Sequence, residues 1–378
     1  MSLPLPRGRV IVTPSPTGKA PAVPLSPGDP APLFIAPSPS NPRYVLAAAA
    51  GRWLALAFLP PEESPESVAA LTAVAARRSL FDDDNRAFFG VLSDPAAIAG
   101  AKDQVPGLRW FLDPRRELSA LYGIEAGGWV VLDPTLRVIR TAPLSESAAV
   151  VDFLAALPAP ADHAGVPMHA PALIVPRVFE PEVCRRLIDL YQAHGGEASG
   201  FMREIDGKTR LIRDDGHKRR SDAPVDDEAL REAARERILR RLAPEIAKAF
   251  QFRATRIERY IVACYDANSG GWFRPHRDNT TRGTAHRKFA VSINLNAEDY
   301  DGGDLRFPEY GSRTYRAPTG GAVVFSCSLL HEATPVTRGR RFAFLPFLYD
   351  EDGARLREAN AGFLEGSGSD YRAAAENA

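Results

Sequence analysis

The sequence predicts two domains of different class: an α/β layered domain first, then a mainly-β domain with flanking helices. Three observations carry this. The chain has 378 residues, long for a single hydrophobic core. Up to about residue 157, short apolar runs alternate with helical stretches, as in a sheet covered by helices. Beyond a Pro- and Ala-rich stretch at 158–170, period-two runs and Gly-Gly turns take over.

Taken in order, residues 1–28 are rich in Pro with Ser, Gly and Thr, and read as a flexible leader. Within 29–157, strands are expected at 53–59, 87–92, 108–112 and 129–132, and helices at 65–78, 117–122 and 145–157. Residues 158–170 read as a linker, with His163 and His169 as solvated side chains. A mainly-β domain should then span 171–350. It begins with a strand at 172–175 and a helix opened by Pro181 and closed by Gly195-Gly196, burying Cys184, Leu187, Ile188 and Tyr191. The polar stretch 197–225 reads as a solvated loop, with a lid over a substrate as the alternative. Residues 226–250 should form one long helix, capped by Asp226 or Asp227 and kinked or split at Pro244. A strand follows at 256–264, and 351–378 reads as a polar tail, disordered past about 366.

Composition excludes several classes. Forty-seven basic residues balance 47 acidic ones, which gives no electrostatic ground for nucleic acid or an anionic membrane as partner. Cys184, Cys264 and Cys327 are scattered, without paired spacing. They read as small buried hydrophobes in a reducing compartment. The N-terminus lacks the continuous apolar core of a signal peptide, and the most apolar run, 44–59, is broken by Gly51 and Arg52. No membrane span is expected, and the cytoplasm is the expected compartment.

The chemistry concentrates in 265–349. His276 and Asp278 lie two apart, so on an extended backbone both side chains reach one ion. His331 lies downstream of the apolar run at 322–325. Two imidazoles and one carboxylate suit Fe(II) with open positions. Residues 335–339 read as the connection of a hairpin that sets 331 opposite 341 on one face. Arg341 would then present a guanidinium near the ion, able to grip a carboxylate through two hydrogen bonds. Arg338 and Arg340 read as solvent-facing, and His286 as a loop residue.

The set Tyr265, His276-x-Asp278, Gly302-Gly-x-Leu-x-Phe-Pro308, His331, Pro335-Val336 and Gly339-x-Arg341 resembles the Fe(II)/2-oxoglutarate dioxygenases of the prolyl 4-hydroxylase type over about 170–350. The resemblance implies a double-stranded β-helix, or jelly-roll. It implies His276, Asp278 and His331 as metal ligands, Arg341 on the far carboxylate of 2-oxoglutarate, and Tyr265 on the same co-substrate. The implied cofactors are Fe(II), 2-oxoglutarate and O2, with ascorbate as an accessory reductant. The implied reaction hydroxylates a prolyl residue of a protein or peptide, a free amino acid or another small molecule, releasing succinate and CO2.

The N-terminal half resembles the peroxiredoxins of the thioredoxin fold, through Pro27-Gly-Asp-Pro-Ala-Pro32, Ser93-Asp94, Leu121-Tyr-Gly-Ile124 and the spacing from Pro60 to Ser67. Ser67 stands where the peroxide-reducing cysteine belongs, and a hydroxyl cannot replace a thiolate. The expectation is therefore a recognition, docking or homodimerisation module rather than a peroxidase. The rival expectation is a redoxin-type protein that carries the barrel as an accessory domain. A zinc hydrolase using the same triad would leave Arg341 unexplained.

Overall fold

The computed structural model describes residues 10–12, 24–366 and 371–373. It divides into two compact units: Met1–Met168 with Pro308–Ser312, and His169–Phe307 with Arg313–Ala378.

The first unit holds a five-stranded sheet in the order Leu108–Leu112, Arg86–Leu92, Trp53–Phe58, Gly128–Leu132, Val138–Ala142. The first three strands run parallel and the last two antiparallel. The parallel strands read as continuous apolar runs because both faces of the sheet are covered. On one face Ala70 and Val74 of the helix Pro65–Ala76 meet Val150, Val151 and Leu154 of the helix Ser147–Ala156. Most of the expected leader lies outside the described residues, but Ile11–Val12 pairs with Phe34–Ala36 and Gly28 N–H donates to Val138 O. The linker reading of His163 needs correction. Its side chain is 5% exposed, with Nε2 3.3 Å from Glu309 O and the ring edge-on to Trp53.

In the second unit the chain alternates between two sheets. Ile261–Asp266 lies in the larger, Trp272–His276 in the smaller, Phe289–Asn294 in the larger, and Leu305–Arg306 with Thr314–Tyr315 in the smaller. Ala322–Ser326 returns to the larger sheet, His331–Ala333 to the smaller, and Arg340–Phe344 to the larger. This alternation is the jelly-roll. Period two assigns the faces of the larger sheet. Val262, Cys264, Phe342 and Phe344 pack with the helix residues Leu187, Leu230, Ile238 and Ile246. Ala263, Tyr265 and Ala343 gather with Phe273, Tyr300 and Ala333. The helix Pro181–His194 ends as expected on Gly195, at φ +84°.

The expected long helix is met, capped and split near Pro244, while three expectations are corrected in this unit. The long helix is a helix Glu228–Arg237 capped by Asp227, a π-turn Ile238–Leu242 and a helix Ala243–Phe250. Pro244 supplies no N–H, and the wider turn just before it absorbs the lost bond. The expected strand 256–264 is two strands, Arg256–Glu258 and Ile261–Asp266, broken where Arg259 takes φ +69°. The polar tail forms a helix, Glu351–Asn360, because Asp350 accepts Gly353 N–H at its start. Most residues past 366 lie outside the description.

The last correction concerns residues 197–225, which are largely strand rather than loop. Phe201–Ile205 and Lys208–Ile212 form a hairpin, Lys218–Arg219 extends the smaller sheet, and Ser221–Pro224 pairs with Ile261–Asp266. Most of its charged residues are exposed, but Lys218 is buried and Arg220 and Asp222 are partly so, a use of polarity that periodicity alone reads as solvent exposure.

Candidate metal centre

His276 is the last residue of Trp272–His276, and His331 the first of His331–Ala333. The two strands are neighbours, with His276 paired to His331 across the ladder. Asp278 sits just past the strand end, its N–H donating to Cys327 O at 3.0 Å. One ligand atom from each of His276, Asp278 and His331 lies within 4.8 Å of the others. Asp278 Oδ1 is 3.6 Å from His276 Nε2 and Oδ2 is 3.3 Å from His331 Nε2.

The donor set fits a divalent metal in its protonation as well as its shape. His276 Nδ1 lies 2.8 Å from Arg274 O, and His331 Nδ1 3.0 Å from Leu329 O. A carbonyl only accepts, so each Nδ1 carries the proton and each Nε2 keeps its lone pair toward Asp278. Burial pushes His331 down to about 4, with His276 adding to the effect. Burial pushes Asp278 up, but the two imidazoles outweigh it and hold the carboxyl well below its usual range. At neutral pH His331 is thus a neutral imidazole beside an ionised Asp278. Phe273 stacks on His276 with ring centres 3.5 Å apart, and Phe325 lies 4.5 Å from His331.

Arg341 is brought to the interior by a route the sequence reading missed. It pairs with Tyr265 in the larger sheet, while His331 belongs to the smaller one, so 331 and 341 do not face each other across a hairpin. Residues Val336–Arg338 pair instead with Asp301–Gly302. Gly339, at φ +73°, turns the chain where a Cβ would meet Asp299 O at 2.4 Å. The face is nevertheless as expected, since Arg341 is 3% exposed and Arg340 lies on the outside. Arg341 donates to Gly303 O and Ser292 Oγ, both at 2.7 Å, and its guanidinium lies 5.1 Å from the Tyr265 ring centre. Its Nε and the Tyr300 hydroxyl are buried without partners. Such orphaned groups are what a polar ligand would satisfy.

Two groups of charged residues went unrecognised. Glu258 accepts from Arg287 at 2.7 and 3.0 Å and lies 2.7 Å from His286 Nε2, while Arg287 reaches Asp278 O at 3.5 Å. His286 is therefore a turn residue, but a buried one that braces the ligand loop. Lys218, Arg220 and Asp222 form the second group; their two-residue spacing was the available signal.

Residues 260–349 match the sequence model of the 2OG-Fe(II) oxygenase superfamily. A PKHD-type hydroxylase of Synechococcus sp. (strain JA-2-3B'a(2-13)) is 32% identical over 97 residues, covering 24% of this chain and 42% of the relative. A PKHD-type hydroxylase of Stutzerimonas stutzeri (strain A1501) is 32% identical over 137 residues, covering 30% of this chain and 60% of the relative. The chain thus spans about half the length of such relatives. Among solved structures, a Trichoplax adhaerens prolyl hydroxylase in complex with a hypoxia inducible factor peptide fragment aligns at 18% identity and a TM-score of 0.37. That alignment covers 49% of this chain and 86% of the other. The C-terminal region carries a 2OG-Fe(II) oxygenase domain of the PKHD/prolyl hydroxylase type, and that superfamily implies Fe(II), 2-oxoglutarate and O2.

Proposed function

We propose that the protein is an Fe(II)- and 2-oxoglutarate-dependent dioxygenase that hydroxylates an unactivated C–H bond in a peptide or a small amino-acid-like molecule. The observation that carries this is the convergence of His276, Asp278 and His331 at strand ends of the jelly-roll, with the inward guanidinium of Arg341 over Tyr265, which packs in one cluster with the Phe273 that stacks on His276.

In this reading His276, Asp278 and His331 hold Fe(II). When bound, the metal couples O2 to oxidation of 2-oxoglutarate, giving succinate, CO2 and the hydroxylated substrate. Arg341, with its free Nε and the Tyr300 hydroxyl beside it, takes the far carboxylate of 2-oxoglutarate. Tyr265, its cross-strand partner, flanks the same co-substrate. Gly303 leaves the space this requires, because a Cβ there would meet Arg341 Cδ at 3.3 Å and Val336 Cγ2 at 2.7 Å. Phe273 and Phe325 shield the imidazoles from water.

We read the first unit as a thioredoxin-like, peroxiredoxin-related domain with a recognition or homodimerisation role. Its mixed sheet supports that reading, and Ser67 is engaged in a helix cap rather than in chemistry. Light scattering on the full chain distinguishes a dimer from a monomer. Cytoplasmic residence fits the three cysteines, which are buried and unpaired. Among the described residues no helix is long and apolar enough to cross a membrane.

The deciding experiment is anaerobic titration with Fe(II) and 2-oxoglutarate, read as the visible metal-to-ligand charge-transfer band. The band should form in the wild type and in His286→Ala and vanish in His276→Ala, Asp278→Ala and His331→Ala. A band that survives His331→Ala but is lost in His286→Ala would assign the third ligand wrongly.

A further inference from the structure

Lys218 is a buried lysine, and burial holds its amine well below its usual range. It is 4% exposed, and among the described residues no carboxylate comes within ion-pair reach of it. Its Nζ donates to Ser199 Oγ at 2.8 Å and Gly200 O at 2.5 Å, both neutral acceptors, and lies 4.7 Å from the Phe273 ring centre. Among the described residues only these two oxygens accept from it. Lysines are almost never buried unless paired, and an anion bound beside this one would favour its ammonium form, which burial alone disfavours.

The surroundings say what kind. Two residues on, between the strands Lys218–Arg219 and Ser221–Pro224, Arg220 donates to Asp222 Oδ2 at 2.6 Å and to Ser199 Oγ at 3.1 Å. Asp222 Oδ2 also accepts from Ser199 Oγ at 2.5 Å. Lys218, Arg220 and Asp222 therefore converge on one hydroxyl, two cations sharing a single carboxylate that Arg220 already occupies. Arg220 Nε and Asp222 Oδ1 are buried with no partner. The knot thus presents unmatched donors on Lys218 and Arg220 and one unmatched acceptor on Asp222. Its position relates it to the metal centre, because the Phe273 ring under Lys218 is the one stacked on His276. It also lies at the stem of the hairpin Phe201–Ile212, whose Phe201 ring sits 4.4 Å from His217 and 6.4 Å from Phe273.

We propose that Lys218 and Arg220 Nε form a second anion subsite, distinct from the one at Arg341. It takes the α-carboxylate of an amino-acid-like primary substrate, whose amine N–H is received by Asp222 Oδ1. This rests on the dioxygenase reading and narrows its substrate class. An internal residue of a peptide chain has no α-carboxylate to offer, whereas a free amino acid has both the acid and the amine. The co-substrate leaves this demand unmet, since its far carboxylate is matched by Arg341.

The test is calorimetry on the full-length protein loaded anaerobically with Mn(II) and 2-oxoglutarate, using the twenty free proteinogenic L-amino acids as probes. Each binder is compared with its primary amide. At least one acid should bind tenfold or more tightly than its amide in the wild type. Lys218→Met should reduce that acid to the level of the amide, and Lys218→Arg should keep most of the preference. In both variants the 2-oxoglutarate affinity should stay within twofold of wild type, which also reports correct folding. If no amino acid binds, or if the acid preference survives Lys218→Met, the subsite is wrong while the dioxygenase reading stands. If 2-oxoglutarate itself fails to bind the Mn(II)-loaded wild type, it is the dioxygenase reading that falls.

Discussion

At position 341 one step along a strand separates a ligand-facing arginine from an exposed one. Arg341 points between the sheets, where Gly303 O and Ser292 Oγ hold two of its nitrogens and leave Nε free. Arg340 points outward and lies over the Phe342 ring at 5.4 Å. A charge-assisted hydrogen bond contributes about 1.5–3 kcal/mol, so losing it weakens binding roughly tenfold to a hundredfold. Arg341→Ala should therefore raise the apparent KM for 2-oxoglutarate by about that factor, with little change in Fe(II) affinity. Arg341→Lys should recover part, since an ammonium keeps the charge and loses the planar fork. Arg340→Ala should match wild type. Decarboxylation of 2-oxoglutarate against its concentration measures all three, and a silent Arg341→Ala beside an impaired Arg340→Ala would reverse the face. The face could be read from alternation alone. The strand partner could not, because the pairing of Val336–Arg338 with Asp301–Gly302 is a contact between segments that no local pattern announces.

At the scale of elements, the sequence was most legible where one face is apolar and least where polar groups turn inward. The helix Pro181–His194 and the strand Leu108–Leu112 announce themselves by period and by Pro and Gly punctuation. The strands within 197–225 do not, since Lys218, Arg220 and Asp222 occupy inward positions that apolar residues ordinarily fill. The helix Pro65–Ala76 shows a third case, a residue whose chemistry was read from its position in a motif. Ser67 is 5% exposed and closes a capping box with Ser64: each side chain accepts the other's backbone N–H, at 2.9 and 3.1 Å. Ser67 Oγ also donates to Ser64 O at 2.8 Å. Its hydroxyl is thereby committed to the helix start. Ser67→Ala should cost roughly 0.5–2 kcal/mol, the range of a lost helix cap, seen as a lower denaturant midpoint for the first unit. Turnover of 2-oxoglutarate should not change, and neither protein should consume peroxide with thiols. Robust peroxide consumption that disappears in Ser67→Ala would overturn the structural role.

For the whole molecule the question is where ligand binding energy is felt. All three proposed metal ligands belong to the unit His169–Phe307 with Arg313–Ala378. They lie at the ends of two neighbouring strands, and Asp278 is further fixed through Cys327 O and the Glu258–Arg287 pair. A ligand that binds only the folded state stabilises it by RT ln(1 + [L]/Kd), about 2.7 kcal/mol at a hundredfold excess over Kd. Without metal, no ion ties Asp278 to the imidazoles of His276 and His331, so these strand ends should be the less protected part of the barrel. Anaerobic Fe(II), or Mn(II) as a redox-inert substitute, should slow amide exchange in Trp272–His276, in the turn through Asp278 and in His331–Ala333. The sheet strands Trp53–Phe58 and Arg86–Leu92 of the other unit should exchange at unchanged rates. Chelation should reverse the protection, and His331→Ala should abolish it while its metal-free exchange pattern stays close to wild type. Protection that appears equally in both units, or that persists in His331→Ala, would mean that the ion binds elsewhere and that the cluster of 276, 278 and 331 is not its site.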